Sequence, residues 1–127
     1  MPLHPYDYAI VRVVPRVDRG EFINVGVFVH CPTQSYLGCR IALDRSRLLA
    51  LAPGADVESI AAHLAGLEAV CHGKAGAGPV AELPLGQRFH WLVHPRSAVL
   101  QTSPVHAGAS DDLPATLASL FASLVAP

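Results

Sequence analysis

The chain carries little charge of either sign, few cysteines and no long apolar run, and each shortage removes a class of function. Only 15% of its 127 residues are Asp, Glu, Lys or Arg, and the net charge is −1 with the seven histidines counted neutral. No basic stripe is available to neutralise several phosphates at once, which argues against general nucleic-acid binding. The three cysteines, Cys31, Cys39 and Cys71, are odd in number and lack the paired spacing of metal motifs, so they read as small buried hydrophobes of a reducing compartment. Nothing approaches about 18 uninterrupted apolar residues, so no membrane span is expected. The N-terminal Met-Pro-Leu-His-Pro-Tyr-Asp-Tyr has neither a basic region nor an apolar signal core. A cytoplasmic setting is the expectation.

What is present is apolar: half of the residues are hydrophobic, enough for one real core in a single domain spanning residues 1–127. Asp7–Val14, Glu21–Cys31 and Tyr36–Leu43 read as strands rich in β-branched residues, separated by short turns at Arg16–Gly20 and Pro32–Ser35. Links this short demand an antiparallel meander. Asp44 caps a short helix to Leu51. Asp56 caps a longer one with Val57, Ile60, Ala61, Leu64, Leu67 and Cys71 at helical spacing. The Gly73–Gly78 stretch is a connector. It is not a phosphate loop, because its lysine precedes the glycines and no Ser or Thr follows it. Pro84–Val93 predicts a short helix, Ala98–Thr102 a fourth strand, Pro104–Gly108 a loop, and Asp111 or Asp112 the start of a last helix. The order predicts an α+β domain, a small antiparallel sheet of about four strands with helices packed on one face.

Polar residues interrupt this apolar plan in two places, Glu21–Val29 and Arg88–Gly108. Alternation puts Ile23, Val25, Val27 and Val29 on one face of the second strand, and Phe22, Asn24, Gly26, Phe28 and His30 on the other. The third strand places Leu37, Cys39 and Ile41 opposite Tyr36, Gly38 and Arg40. A polar face can therefore gather Tyr8, Arg12, Asn24, Tyr36 and Arg40, with Gly26 and Gly38 leaving floor space. Arg88, Arg96 and Gln101 extend the donor set. Two readings stand: a receptor for a carboxylate, a phosphate or an acidic side chain, or a polar network that fixes strand register.

Catalytic patterns are weak. Ser103 and His106, with Asp111 nearby, hold the ingredients of nucleophile, base and orienter, and Ser97 is a second hydroxyl, but no G-x-S-x-G surrounds either serine. His90 and His94 are four apart without a metalloprotease glutamate between them, and neither a metal nor an organic cofactor is expected. Carboxylates are scattered, so a two-carboxylate hydrolase has no support.

The segments Tyr6-Asp-Tyr-Ala-Ile-Val-Arg-Val-Val-Pro-Arg16, Glu21-Phe-Ile-Asn-Val-Gly-Val27, Trp91-Leu-Val-His-Pro-Arg-Ser97 and Gln101-Thr-Ser-Pro-Val-His-Ala-Gly108, followed by Asp111-Asp112, resemble the bacterial DUF3037 family over nearly the whole chain. The matching polar positions include Arg12, Asn24, Arg40, Arg88, Arg96, Gln101, Ser103 and His106. His94 departs from the pattern, which has a small residue there. The resemblance brings no reaction. It implies a small bacterial accessory protein working with a HipA-like protein of kinase fold, whose gene tends to lie beside that of family members. The leading expectation is thus a non-enzymatic binding partner, with a homodimer through an exposed edge strand as a further expectation. The rival is a small hydrolase-like or ligand-binding enzyme acting on a phosphate- or carboxylate-bearing compound, with His106 as base.

Overall fold

The computed structural model describes residues 2–96 and 98–126. Its strands are β1 (His4–Val13), β2 (Ile23–Cys31), β3 (Tyr36–Ile41), β4 (Leu100–Thr102) and β5 (His106–Ser110). Its helices are α1 (Arg45–Leu51), α2 (Val57–Cys71), α3 (Leu85–Leu92) and α4 (Leu113–Leu124). All strand pairs are antiparallel in the order β3-β2-β1-β4, and β5 also pairs with β1. The α+β class and the antiparallel meander match the sequence expectation.

Local chemistry sets the boundaries. The amide of Val14 still donates to Val99 O at 2.7 Å, but Pro15 has no N–H and ends β1. Asp44, Asp56 and Asp112 each accept from a backbone amide three residues on, at 3.1 Å in every case, satisfying a free donor at the start of α1, α2 and α4.

Three features differ from the expectation. The first is a β-bulge. Val11 pairs with Gly26 and Arg12 with Asn24, so Val25 is an extra residue on β2. Strict alternation fails there. Ile23, Val25 and Phe28 join one core, whereas Val27, Val29 and Cys31 join another. Gly26 therefore leaves the face of Asn24, and a Cβ on it would sit 2.8 Å from Ile41 Cγ1.

The second follows from the first. Because β2 is apolar at both parities, both sheet faces need cover. Helices α1, α2 and α3 pack on the face of Val11, Val13, Phe28, Leu37 and Cys39. Helix α4 lies on the opposite face, where Leu113, Leu117, Leu120 and Phe121 meet Val27, Val29 and Cys31. The helical cover thus extends to the second face.

The third is β5, where a loop was expected over Pro104–Gly108. His-Ala-Gly-Ala-Ser has little strand propensity, yet it pairs with His4–Tyr8 and lengthens β1 at its N-terminal end. Small residues are required here because the Tyr6 ring lies over Gly108, where a Cβ would be 2.5 Å from Tyr6 Oη. Tyr36 covers Gly38 in the same way, so the floor space expected at Gly38 is filled by a ring.

His30 is one of the few buried polar side chains, its ring 4.8 Å from that of Phe89. Loss of solvent holds its pKa below the usual imidazole value. Asp7, its cross-strand partner, opposes that shift, and His90 adds to it. The unfolded chain binds the proton more readily than the folded one. Stability from this residue is therefore complete above the ordinary pKa of 6.5 and falls as pH drops from there through the folded-state value. Urea midpoints measured from about pH 8 to about pH 5 are expected to decline more steeply for the natural chain than for His30→Phe. Parallel profiles would show that His30 contributes nothing to the acid response.

Candidate binding site

Cross-strand register brings the central polar residues together. Arg12 stands opposite Asn24 on β2 and opposite Gln101 on β4, so the three share one face. Arg40 shares it too, since it pairs with Val27, which pairs with Ile10. Helix α4 crosses this same face and divides the set. Asn24 Nδ2 donates to Leu124 O at 3.1 Å, and Arg47 donates to Val125 O at 3.3 Å. Both satisfy carbonyls that a helix C-terminus leaves unpaired. The Arg40 guanidinium lies over the Phe121 ring, 5.3 Å from its centroid, a cation–π contact.

Arg12 and Gln101 remain open on the far side of the α4 C-terminus. With Arg96, Val14, Val17 and Phe22 they line a shallow depression of about 400 Å³. The Arg12 guanidinium stacks 4.2 Å from the centroid of Phe22. Its Nε is buried and has no hydrogen-bond partner among the described residues, a state shared by Arg88 Nε and Asn24 Oδ1. Gln101 is steadied by donating to Ala98 O at 2.8 Å. Arg96 donates to Trp91 O at 2.7 Å and lies over the Trp91 ring at 4.9 Å. Arg96 also borders a neighbouring apolar groove of about 570 Å³ walled by Trp91, Val99, Leu67 and Val70. Phe22 and Trp91 are 44% and 39% exposed, which is unusual for large aromatics. Among the described residues the ion pairs are Arg16–Asp18, Arg19–Glu21 and Arg45–Glu58. Arg12 and Arg96 thus face the depression without a carboxylate.

The other sequence candidates lie elsewhere. Arg88 is a clamp: it donates to Leu83 O at 2.7 Å and to Cys71 O at 3.5 Å, closing the loop that follows α2 onto α3. Ser103 is buried, and its hydroxyl is engaged twice with main chain. Its Oγ accepts from Ile10 N at 2.8 Å and donates to Pro104 O at 2.9 Å. It completes the β1 ladder at the junction where Pro104 can donate nothing. The His106 ring is exposed and tilted against Tyr8, 5.3 Å between centroids. No hydrogen bond joins Ser103 to His106 among the described residues, and Ser97 lies outside them. Asp111 is exposed, while Asp112 caps α4. Replacing Ser103 by Ala leaves the partly buried Ile10 amide without its side-chain acceptor. It is expected to cost about 1–3 kcal/mol of stability in a denaturant titration. A loss of function at unchanged stability would instead restore Ser103 to a chemical role.

One constellation escaped the sequence reading. The ligand atoms of Cys39, Cys71 and His72 all lie within 4.8 Å of one another. They come from β3 and from the end of α2, so no short motif announces them.

The depression thus combines two arginines that have no carboxylate partner among the described residues with the exposed aromatics Phe22 and Trp91. The sequence profile described as protein of unknown function (DUF3037) matches residues 8–125, and the chain belongs to that family. No curated protein and no solved structure shows significant similarity to the chain. No helix among the described residues is long and apolar enough to cross a membrane.

Proposed function

We propose that this chain is a non-enzymatic binding module. It docks a protein partner on the surface running from Phe22 past Arg12, Gln101 and Arg96 to Trp91 and Val99. The partner is a HipA-like kinase-fold protein, the neighbour that the family resemblance implies, and it inserts an acidic side chain between Arg12 and Arg96. The observation that carries this reading is the Arg12 guanidinium, held in place by Phe22, with a buried Nε that nothing in the described chain satisfies. A buried donor left without an acceptor costs stability that an incoming carboxylate returns, with a charge-assisted bond in addition. Arginine beside exposed Phe and Trp is also the residue mix that dominates interface energetics. The main-chain engagement of Ser103 gives the hydrolase alternative no support from that hydroxyl.

Co-expression with the kinase-fold neighbour, followed by affinity purification and size exclusion, tests the reading. A complex is expected for the natural chain and not for Phe22→Ala. Retention of the complex by Phe22→Ala, or elution of the chain alone or as a self-associated dimer, would overturn it.

A further inference from the structure

The geometry points to a thiophilic metal site formed by Cys39 Sγ, Cys71 Sγ and His72 Nε2, taking a zinc-class divalent ion with its fourth position open to water or to Glu68. The site lies on the face of the sheet covered by α1, α2 and α3, away from the binding surface proposed above, and stands independently of it.

Three observations carry it. The first is distance. Bonds of about 2.3 Å to sulfur and 2.0–2.1 Å to imidazole nitrogen set neighbouring ligand atoms about 3.5–3.8 Å apart around a tetrahedral ion. Cys39 Sγ and His72 Nε2 are 3.8 Å apart, and no pair among the three exceeds 4.8 Å. Small side-chain rotations are sufficient to close the shell.

The second is the graded burial of the donors. Cys71 is fully buried, Cys39 half-buried and His72 exposed. An ion therefore has an entry path past the imidazole, where a depression of about 410 Å³ opens beside Glu68, His72 and Lys74. Zinc sites with three protein ligands and an open fourth position have this form.

The third is charge. Two thiolates neutralise a divalent ion, and Glu68 and Lys74 at the rim offset one another. Binding forms two metal–sulfur bonds and releases two protons to solvent, one from each thiol, so no oxidant or reductant is needed.

Cys31 supplies an internal control. It is buried on the opposite face, against α4, with Thr33 Oγ1 3.5 Å away. The test uses the full, reduced, metal-stripped chain. It is titrated with Zn(II) against a chromophoric chelator, and with Co(II) followed by absorption. One ion per chain is expected, with thiolate-to-cobalt charge transfer and intense tetrahedral d–d bands. Cys39→Ser and His72→Ala should each weaken binding by about 10-fold or more, and Cys31→Ala should leave it unchanged. His72 is exposed, so its variant keeps the test decisive even if a substitution at buried Cys71 prevents folding. The inference is overturned if the natural chain takes up neither ion, if His72→Ala and Cys39→Ser bind as it does, or if the thiols form a disulfide and the reduced chain still binds no metal.

Discussion

Phe28→Ala is expected to lower the free energy of unfolding by about 3–5 kcal/mol, the largest single-residue loss in the molecule. Phe28 is fully buried, and its cross-strand neighbours on the same face are Ala9 and Cys39. One large side chain fills the space that two small ones leave beneath α1, α2 and α3. Neither small neighbour can swing into the cavity, and β2, paired on both sides, cannot shift to close it. A domain of this size holds roughly 5–15 kcal/mol in total, so the variant should unfold at a much lower urea midpoint with an unchanged slope. A loss below about 1 kcal/mol would mean that the bulge at Val25 does not direct Phe28 into this core.

The second large effect concerns binding. Arg12→Ala and Arg96→Ala are each expected to weaken the proposed complex with a kinase-fold partner by about 2 kcal/mol or more, close to 30-fold in Kd. Arg12 brings a buried, unsatisfied Nε to the depression, and Arg96 links the depression to the Trp91 groove. Arg40→Ala, which removes a guanidinium from over Phe121 outside the depression, should change affinity by less than about 0.5 kcal/mol. Arg88→Ala should act on stability instead, because Arg88 lies outside the depression and its terminal nitrogens donate to the chain's own carbonyls, although its Nε has no partner among the described residues. Isothermal titration of the four variants separates these cases. Equal losses for Arg12 and Arg40 would mean that the partner reads overall charge rather than this depression.

Much of the fold was readable because its elements obey their periods. Val11 and Val13 face the same core as Leu37, Cys39 and Ile41, as alternation requires, and the N-terminal aspartates of α1, α2 and α4 stand at the cap positions. The bulge was hidden because the residues from Ile23 to Val29 are apolar at nearly every position, so a change of face leaves no polar mark. The face expected to be free is covered for the same reason: Val27, Val29 and Cys31 needed a partner, and α4 supplies it. β5 was hidden because its strand conformation comes from pairing with β1 rather than from its own residues. Of the candidate site, the adjacency of Arg12, Asn24 and Gln101 was legible from register. The diversion of Asn24 to the α4 C-terminus was not, since it depends on where a helix 100 residues later ends. Phe22 and Trp91 gave no polar signal at all, and their importance rests on exposure that only the fold reveals.

The most direct test of the proposed binding surface is calorimetric titration of the proposed kinase-fold partner into the natural chain and into Arg12→Ala/Gln101→Ala, with both shown to be folded by circular dichroism. The account predicts one-to-one binding at micromolar Kd or tighter for the natural chain and no measurable heat for the double variant at the same concentrations. Equal affinity for both proteins would contradict it.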